Sequence, residues 1–299
     1  MASDTRTTCF DARLLRGLVG TTVTTYDLVS DGASPQSTSL TPSTESSRAT
    51  TSPTTPSTPV ASPITVVSTS SAVSRTWVIT KKLSERAAPM TDHDVKMGRG
   101  SAKTVGKFLC HLTGDPNQIA FMRIYQQIPI TGTEDADHDT LVRQAVAPGV
   151  CGELESFKKL QSGGCGAVPR FLGHAESTQV DNDLLPGGYI RYLVWEKVPG
   201  EPLTKEFFWG LDITARKDIR AKFRDAYEQL LSCGIAPGQS RISKIIFDQS
   251  TGNLHISGFR MGWPIIGKIE WSDARYVEFE LAEPSEEGDW YLHPEKWQW

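Results

Sequence analysis

The apolar positions of this chain alternate between two periods. Residues 213–233 place Ile213, Ile219, Phe223, Ala226, Tyr227 and Leu230 at intervals that return to one side of a helix. Residues 150–160 (VCGELESFKKL) do the same over a shorter length, with Leu154, Phe157 and Leu160 together. Short apolar runs predict strands at 76–82 (TWVITKK), 118–125 (QIAFMRIY), 244–247 and 254–257. The last two flank a polar turn, 248–253, and form a hairpin. Residues 96–112 carry Gly98, Gly100 and Gly106 ahead of and into a further apolar strand, which reads as a glycine-bearing hairpin turn. Residues 203–211 form an amphipathic piece leading into the long helix, and 265–271 and 275–281 read as two strand-like stretches.

Composition changes the picture at the N-terminus. From about residue 30 to 74 the chain is dominated by Ser, Thr and Pro, too poor in apolar side chains to repay the entropy of ordering its backbone. Thr41-Pro42, Ser52-Pro53, Thr55-Pro56, Thr58-Pro59 and Ser62-Pro63 resemble sites for proline-directed kinases, against the plainer reading of a low-complexity linker. Phe10, Leu14, Leu15, Leu18 and Val19 predict at most a short helix in the first 29 residues. The expected division is a disordered region over 1–74 and a folded domain over 75–299.

Charge and candidate chemistry narrow the function classes. A net charge of −4 argues against a general nucleic-acid binder. No run approaches the length of a membrane-spanning helix, and the first residues carry Asp4 and Asp11 where a secretory or transit signal would be free of acids. The five cysteines, Cys9, Cys110, Cys151, Cys165 and Cys233, are widely spaced and form no C-x-x-C, as expected of an intracellular, cytoplasmic or nuclear protein without disulfides or zinc. Cys165, in GGCG, reads as a loop thiol. No G-x-S-x-G occurs; His93, between Asp92 and Asp94, and the acidic loop at 132–139 read as solvated loop charge, so no metal ligand set is assigned.

The order of the elements carries a resemblance. The stretch GIAPGQSRISKIIFDQSTGNLHISGF follows the long helix and is similar to the segment G-[IV]-x-H-x-D-x-x-x-x-N-[IL]-[IL]-x-D of fungal protein-kinase-like proteins. Upstream, QIAFMRIY resembles the kinase strand carrying V-A-I-K, residues 150–160 resemble the helix with the paired glutamate, and VPRFLG followed by YLVWEKVPGEPL resembles the strand entering the hinge between lobes. The similarity runs from about residue 96 to 259. It implies an α+β, protein-kinase-like two-lobe fold, with a small lobe over about 75–195 and a shortened large lobe over about 196–299, since only about forty residues follow Phe259.

The resemblance also implies where a nucleotide site would lie. Gly98, Gly100 and Gly106 fall near the glycine-rich turn, Arg123 on the strand lysine, Glu153 on the helix glutamate, Trp195 on the residue guarding the back of the pocket, and Glu196 and Val198 on backbone groups that would meet an adenine. Arg123 and Glu153 are then an expected ion pair that orients the helix, surface-like and contributing roughly 0–1 kcal/mol. At the catalytic positions the chemistry is exchanged. Pro237 and Gln239 stand for the histidine and aspartate of the catalytic loop, and Lys244 and Gly258 for the two magnesium ligands. Phosphoryl transfer rests on positioning and on divalent ions across the phosphates. Gln239 cannot accept a proton, Lys244 repels a cation and Gly258 has no side-chain oxygen.

The expectation is a pseudokinase without catalytic residues, metal or cofactor, ATP without magnesium being the fallback, that serves as a binding, scaffold or regulatory module for a protein partner. The alternatives are an unorthodox phosphotransferase using Asp248 or Asp212, and an accessory protein of a fungal specialised-metabolite pathway. Trp290, Tyr291, Trp297 and Trp299 are the residues expected to cover the large lobe's underside.

Overall fold

The computed structural model describes residues 14–27, 73–265, 267 and 269–299. The chain divides into Met1–Leu28 with Val73–Trp299, and Val29–Ala72; the second unit, with the Ser-Pro and Thr-Pro pairs, lies outside the described residues, as does Cys9.

Eleven strands and six α-helices follow one another in the described residues. In chain order they are β1 (Thr22–Tyr26), β2 (Ser74–Ala88), α1 (Asp92–Lys96), β3 (Lys103–Leu112), β4 (Asp115–Gln127), α2 (His138–Val142), α3 (Gly152–Ser162), β5 (Phe171–Thr178) and β6 (Tyr189–Glu196). Then come β7 (Glu201–Pro202), α4 (Lys205–Gly210), α5 (Ile213–Ser232), β8 (Ile235–Ala236), β9 (Ile245–Phe247), β10 (Leu254–Ile256), β11 (Trp263–Pro264) and α6 (Ala274–Glu278). This is a mixed α and β fold. Strands β1 to β6 close into a barrel in the order β1-β2-β3-β4-β6-β5. The later strands form a three-stranded sheet, β10-β9-β7, and the pair β11-β8.

Strand alternation gives the barrel two apolar faces. Phe108, Cys110, Met122, Ile124 and Val194 point inward with Trp77, Ile79 and Leu172. Their neighbours Val105, Tyr125, Leu193 and Trp195 point outward and join a second core built with α3, α5 and the β9–β10 hairpin. That second core is what carries the barrel's outer face onto the helical part. Phe157 of α3 is its pivot: its ring stacks 4.9 Å from Phe171 and 5.8 Å from Trp195 and meets Phe259 edge-on at 6.0 Å.

Residues expected to lie in the disordered N-terminal region close the barrel, so the expected start of order near residue 75 is corrected. β1 pairs antiparallel with β2 along its whole length and reaches β5 through Tyr26 and His174. Gly173 makes that closure feasible: its φ is +127°, and a Cβ there would stand 2.8 Å from the carbonyl oxygen of Tyr26. Leu15 is fully buried in the barrel, and its N–H donates to both carboxylate oxygens of Glu85 at 3.3 and 3.2 Å. Glu85, itself buried, also accepts from Thr104 Oγ1 at 2.9 Å and Lys82 Nζ at 2.8 Å. Trp77 Nε1 donates to the buried Thr25 Oγ1 at 3.0 Å.

The C-terminal third also departs from expectation. Residues 275–281 are not a strand: α6 covers Ala274–Glu278, because Tyr276 and Phe279, three apart, both face α5. Phe279 lies 4.8 Å from Phe223 and 5.9 Å from Tyr227. The described residues of 265–271 form no strand; Trp271 packs instead on Tyr227 and Tyr276 at 5.8 and 5.0 Å. The tail folds back on the chain. Trp297 is buried and donates Nε1 to the Trp290 carbonyl at 2.7 Å, and Trp299 packs 5.7 Å from Tyr276. Tyr291, the fourth aromatic expected to cover this region, is 57% exposed. No helix among the described residues is long and apolar enough to cross a membrane.

If β1 and the turn before it are part of the barrel, Leu15→Ala should cost about 2–5 kcal/mol, as for other large-to-small changes in a filled core. Urea denaturation of the full-length protein measures this; a loss below about 0.5 kcal/mol, the level of a surface substitution, would place Leu15 outside the cooperative core.

Candidate ligand cleft

A cleft of about 320 Å³ lies between the outer face of β3-β4-β6 and the β9–β10 hairpin. Its upper wall follows from register. Lys107 is paired with Arg123 across β3 and β4, and Phe121 with Trp195 across β4 and β6. Because side chains two apart in a strand share a face, Val105 and Lys107, then Phe121 and Arg123, all face the cleft. Its lower wall is Lys244, immediately before β9, and Ser257 to Arg260 after β10. The segment after β6 supplies Lys197, Val198, Glu201 and Pro202 at the rim.

One carboxylate reaches the interior. Glu153 is 2% exposed, accepts a 2.6 Å hydrogen bond from Tyr125 Oη, and lies 3.3 Å from Arg123 Nε. The Arg123 Nε–H is not aligned for a hydrogen bond, so this contact is an ion pair without a directed bond. Burial and the adjacent Glu153 charge push the Tyr125 phenol far above its ordinary value, keeping it a donor. The pair is not the surface-like contact expected from the sequence: both side chains are mostly enclosed, and breaking such a pair leaves an uncompensated buried charge.

The remaining charges are cationic. Lys107 Nζ sits 3.7 Å from the centroid of the Phe121 ring, and the Arg123 guanidinium 5.3 Å from that of Trp195. Burial, then repulsion from Arg123 and Lys244, pushes the Lys107 ammonium from an ordinary 10.5 down to about 8, with Glu153 opposing. Lys244 is lowered by burial and by Arg123, Arg241 and Arg260, and Arg260 by burial and by Arg123. Among the described residues, Lys107, Lys244 and Arg260 have no carboxylate within ion-pair distance, Glu153 being spent on Tyr125 and Arg123. Magnesium seeks an octahedron of oxygen ligands. Around Lys244 and Gly258 the charged side chains are the ammonium of Lys244 and the guanidinium of Arg260, and the side-chain oxygens of Gln239, Ser243 and Ser257 are neutral, so the residues present do not fit a divalent cation.

Gly258 shows how closely the lysine occupies this place. Its φ is +104°, and a Cβ there would meet the Cγ and Cδ of Lys244 at 3.2 Å. Any larger side chain would strain the backbone and press on the lysine stem.

Of the residues singled out in the sequence, Arg123, Glu153, Trp195, Val198, Gln239, Lys244 and Gly258 line the cleft. Gly98 and Gly100 do not. They sit at positive φ in the turn between α1 and β3, and Gly106 is the glycine that reaches the wall. Glu196 is also absent from the lining: its N–H donates to the Arg170 carbonyl at 2.9 Å, which removes it as a donor for a base. Pro237 is buried beside the cleft without lining it. Lys107, Lys197 and Glu201 were not singled out from the sequence. For Lys107 the available signal was a lysine on the same strand face as the apolar Val105 and Leu109.

The other candidates have structural duties. Asp212 caps α5 by accepting from the N–H groups of Thr214 and Ala215 at 2.8 and 2.9 Å. Asp248 accepts from Ser250 and Thr251 within the hairpin turn, which holds its carboxyl below the usual range. Asp137 caps α2, and His93 is exposed on α1. Burial pushes the Cys165 thiol up to about 11, the direction opposite to that of a reactive thiolate.

No family model matches this chain, and no curated protein does. Among solved structures it is similar to the Cydia pomonella granulovirus kinase PK-1, at 14% identity and a TM-score of 0.38, over 66% of this chain. The match spans 55% of that kinase, little more than half its length. A likeness this distant transfers neither chemistry nor partners.

Two measurements test the electrostatics. The unfolded chain keeps the Lys107 proton to about 10.5 while the folded chain releases it near 8. The unfolded state therefore binds more protons between those values, and stability should rise with pH across that window. Lys107→Met should raise stability at pH 7 and flatten the rise, as read from urea midpoints at pH 7 to 10; identical slopes in both proteins would refute the assignment. Glu153→Ala should cost about 3–5 kcal/mol by chemical denaturation, and a loss under about 1 kcal/mol would mean that the pair is solvated.

Proposed function

We propose that this chain is a kinase-like protein without phosphotransfer activity, acting as a binding or regulatory module. One observation carries the reading. Where a phosphotransferase needs a carboxylate base and oxygen ligands for divalent ions, the cleft presents Gln239, Lys244, Gly258 and Arg260. The elements that resemble kinase segments are in the corresponding order: a strand with a basic residue, a helix with the glutamate that meets it, a strand leading out past Trp195, a long helix and a hairpin. The alternative of an unorthodox phosphotransferase is not favoured, because Asp212 and Asp248 are engaged as caps. A protein partner is part of the proposal; the exposed Tyr291 and Leu292 beside the packed tryptophans are where its contact would begin.

The test is nucleotide handling by the purified full-length protein. No phosphate release from ATP and no magnesium-dependent thermal shift are expected. A melting temperature that rises with ATP and magnesium together, but not with ATP alone, or measurable transfer to a generic acceptor, would overturn the reading. Restoring the exchanged groups as Gln239→Asp, Lys244→Asn and Gly258→Asp should not rebuild activity, because residue 258 keeps a backbone angle that an aspartate adopts only under strain.

A further inference from the structure

We infer that the cleft binds a compact phosphate-chain anion directly, without a divalent cation, through Lys107, Arg123, Lys244 and Arg260. The inference rests on the reading of the cleft as a binding site and adds the class of ligand.

The first support is local charge. The chain as a whole carries −4, yet the cleft is lined by five cationic side chains, Lys107, Arg123, Lys197, Lys244 and Arg260, against two carboxylates, Glu153 and Glu201. Glu153 is withdrawn into its own pair behind the wall. A concave site walled by protein focuses the field of one sign and draws in ligands of the other.

The second is that these cations oppose one another. Lys107 faces Arg123 from the neighbouring strand and Lys244 from the opposite wall, with Glu153 of α3 as the nearest opposing charge. Lys244 faces Arg123 and, on its own side, Arg241 and Arg260. Holding unpaired like charges half-buried costs folding free energy. An anion with several oxygens would relieve all of them at once, with charge-assisted hydrogen bonds of about twice the strength of neutral ones. The cationic side chains would then take the role that magnesium has where phosphates meet carboxylates, because here the charge that neutralises the phosphates belongs to the protein.

The third is shape. The strand face leading to the rim is filled by the Phe121 and Trp195 rings, 6.0 Å apart, and the Lys107 ammonium covers the Phe121 face. A purine would have to displace that ammonium in order to stack. With that aromatic face taken by an ammonium and five cationic side chains in the lining, the geometry favours a bare phosphate chain over a nucleoside.

The experiment uses the full-length protein in EDTA, with sodium tripolyphosphate, pyrophosphate, ATP and adenosine as probes in thermal-shift and calorimetric titrations. Tripolyphosphate should raise the melting temperature and bind at least as tightly as ATP, adenosine should have no effect, and added magnesium should weaken binding by complexing the probe. Lys244→Gln with Arg260→Gln should weaken tripolyphosphate binding at least tenfold. These changes remove repelling charges, so the variant should melt no lower than the parent, a check that it folds. Lys217→Gln with Arg224→Gln, on the outer face of α5, is the control and should leave binding unchanged. The inference is overturned by no binding of tripolyphosphate at millimolar concentration, by a requirement for magnesium, by binding that survives the cleft variant, or by loss with the α5 variant. ATP binding more than tenfold tighter than tripolyphosphate would overturn the compact-anion assignment, since the nucleoside would then contribute. Phosphate release from ATP would instead sink the inactive reading, and tripolyphosphate binding would stand or fall by its own titration.

Discussion

Glu153 is a carboxylate almost sealed from water, held by a phenol and a guanidinium that lie on one strand, β4. Much else follows from that arrangement. The charge is tolerable only while α3 stays against the outer face of the barrel, because a buried ion without its partner costs several kcal/mol. With α3 fixed, Phe157 is fixed too, and its ring contacts with Phe171, Trp195 and Phe259 join the barrel to the segment after the hairpin. The cleft is the space left between these two walls. Its charge is a consequence of the same pair: among the described residues, the carboxylate deep in the wall is already engaged, and no other offsets Lys107, Lys244 and Arg260 at ion-pair distance.

The barrel solves a different problem. An open sheet of β2 to β6 would leave an edge strand on each side, with unpaired backbone groups and exposed apolar positions. Here β1 pairs with β2 and meets β5, removing both edges. Closure depends on small details. Gly173 lets two backbones approach, and the buried Glu85 gathers the Leu15 N–H, the Thr104 hydroxyl and the Lys82 ammonium where the turn before β1 plugs the interior. The N-terminal piece is thus bound by backbone pairing and one buried acid, with Leu15 filling the space beneath.

Legibility in the sequence varied with the physics of each element. β4, α3, α5 and the hairpin were readable because each buries one face, and burial imprints a period on the sequence. Arg123 and Glu153 could be named in advance through a family resemblance, but their burial could not, since it depends on what α3 packs against. β1 is not legible in the sequence because TVTTY is short, polar on one face and next to a low-complexity stretch, so only its pairing with β2 makes it a strand. Residues 275–281 read as a strand because aromatic residues favour strands on average; contacts with Phe223 and Tyr227 decide for a helix. Spacing alone does not distinguish Gly98, Gly100 and Gly106, and of the three the register of β3 places Gly106 in the wall.

By itself the sequence determined the existence and type of the long periodic elements, and the identities of Gln239, Lys244 and Gly258, none of them a carboxylate, because both are written residue by residue. Only the tertiary structure decided that Lys107 and Arg260 join Arg123 and Lys244 around one cavity. Strand register, and the packing of Phe157 between two walls, bring together side chains from distant parts of the chain, and no local pattern records a distance of that kind.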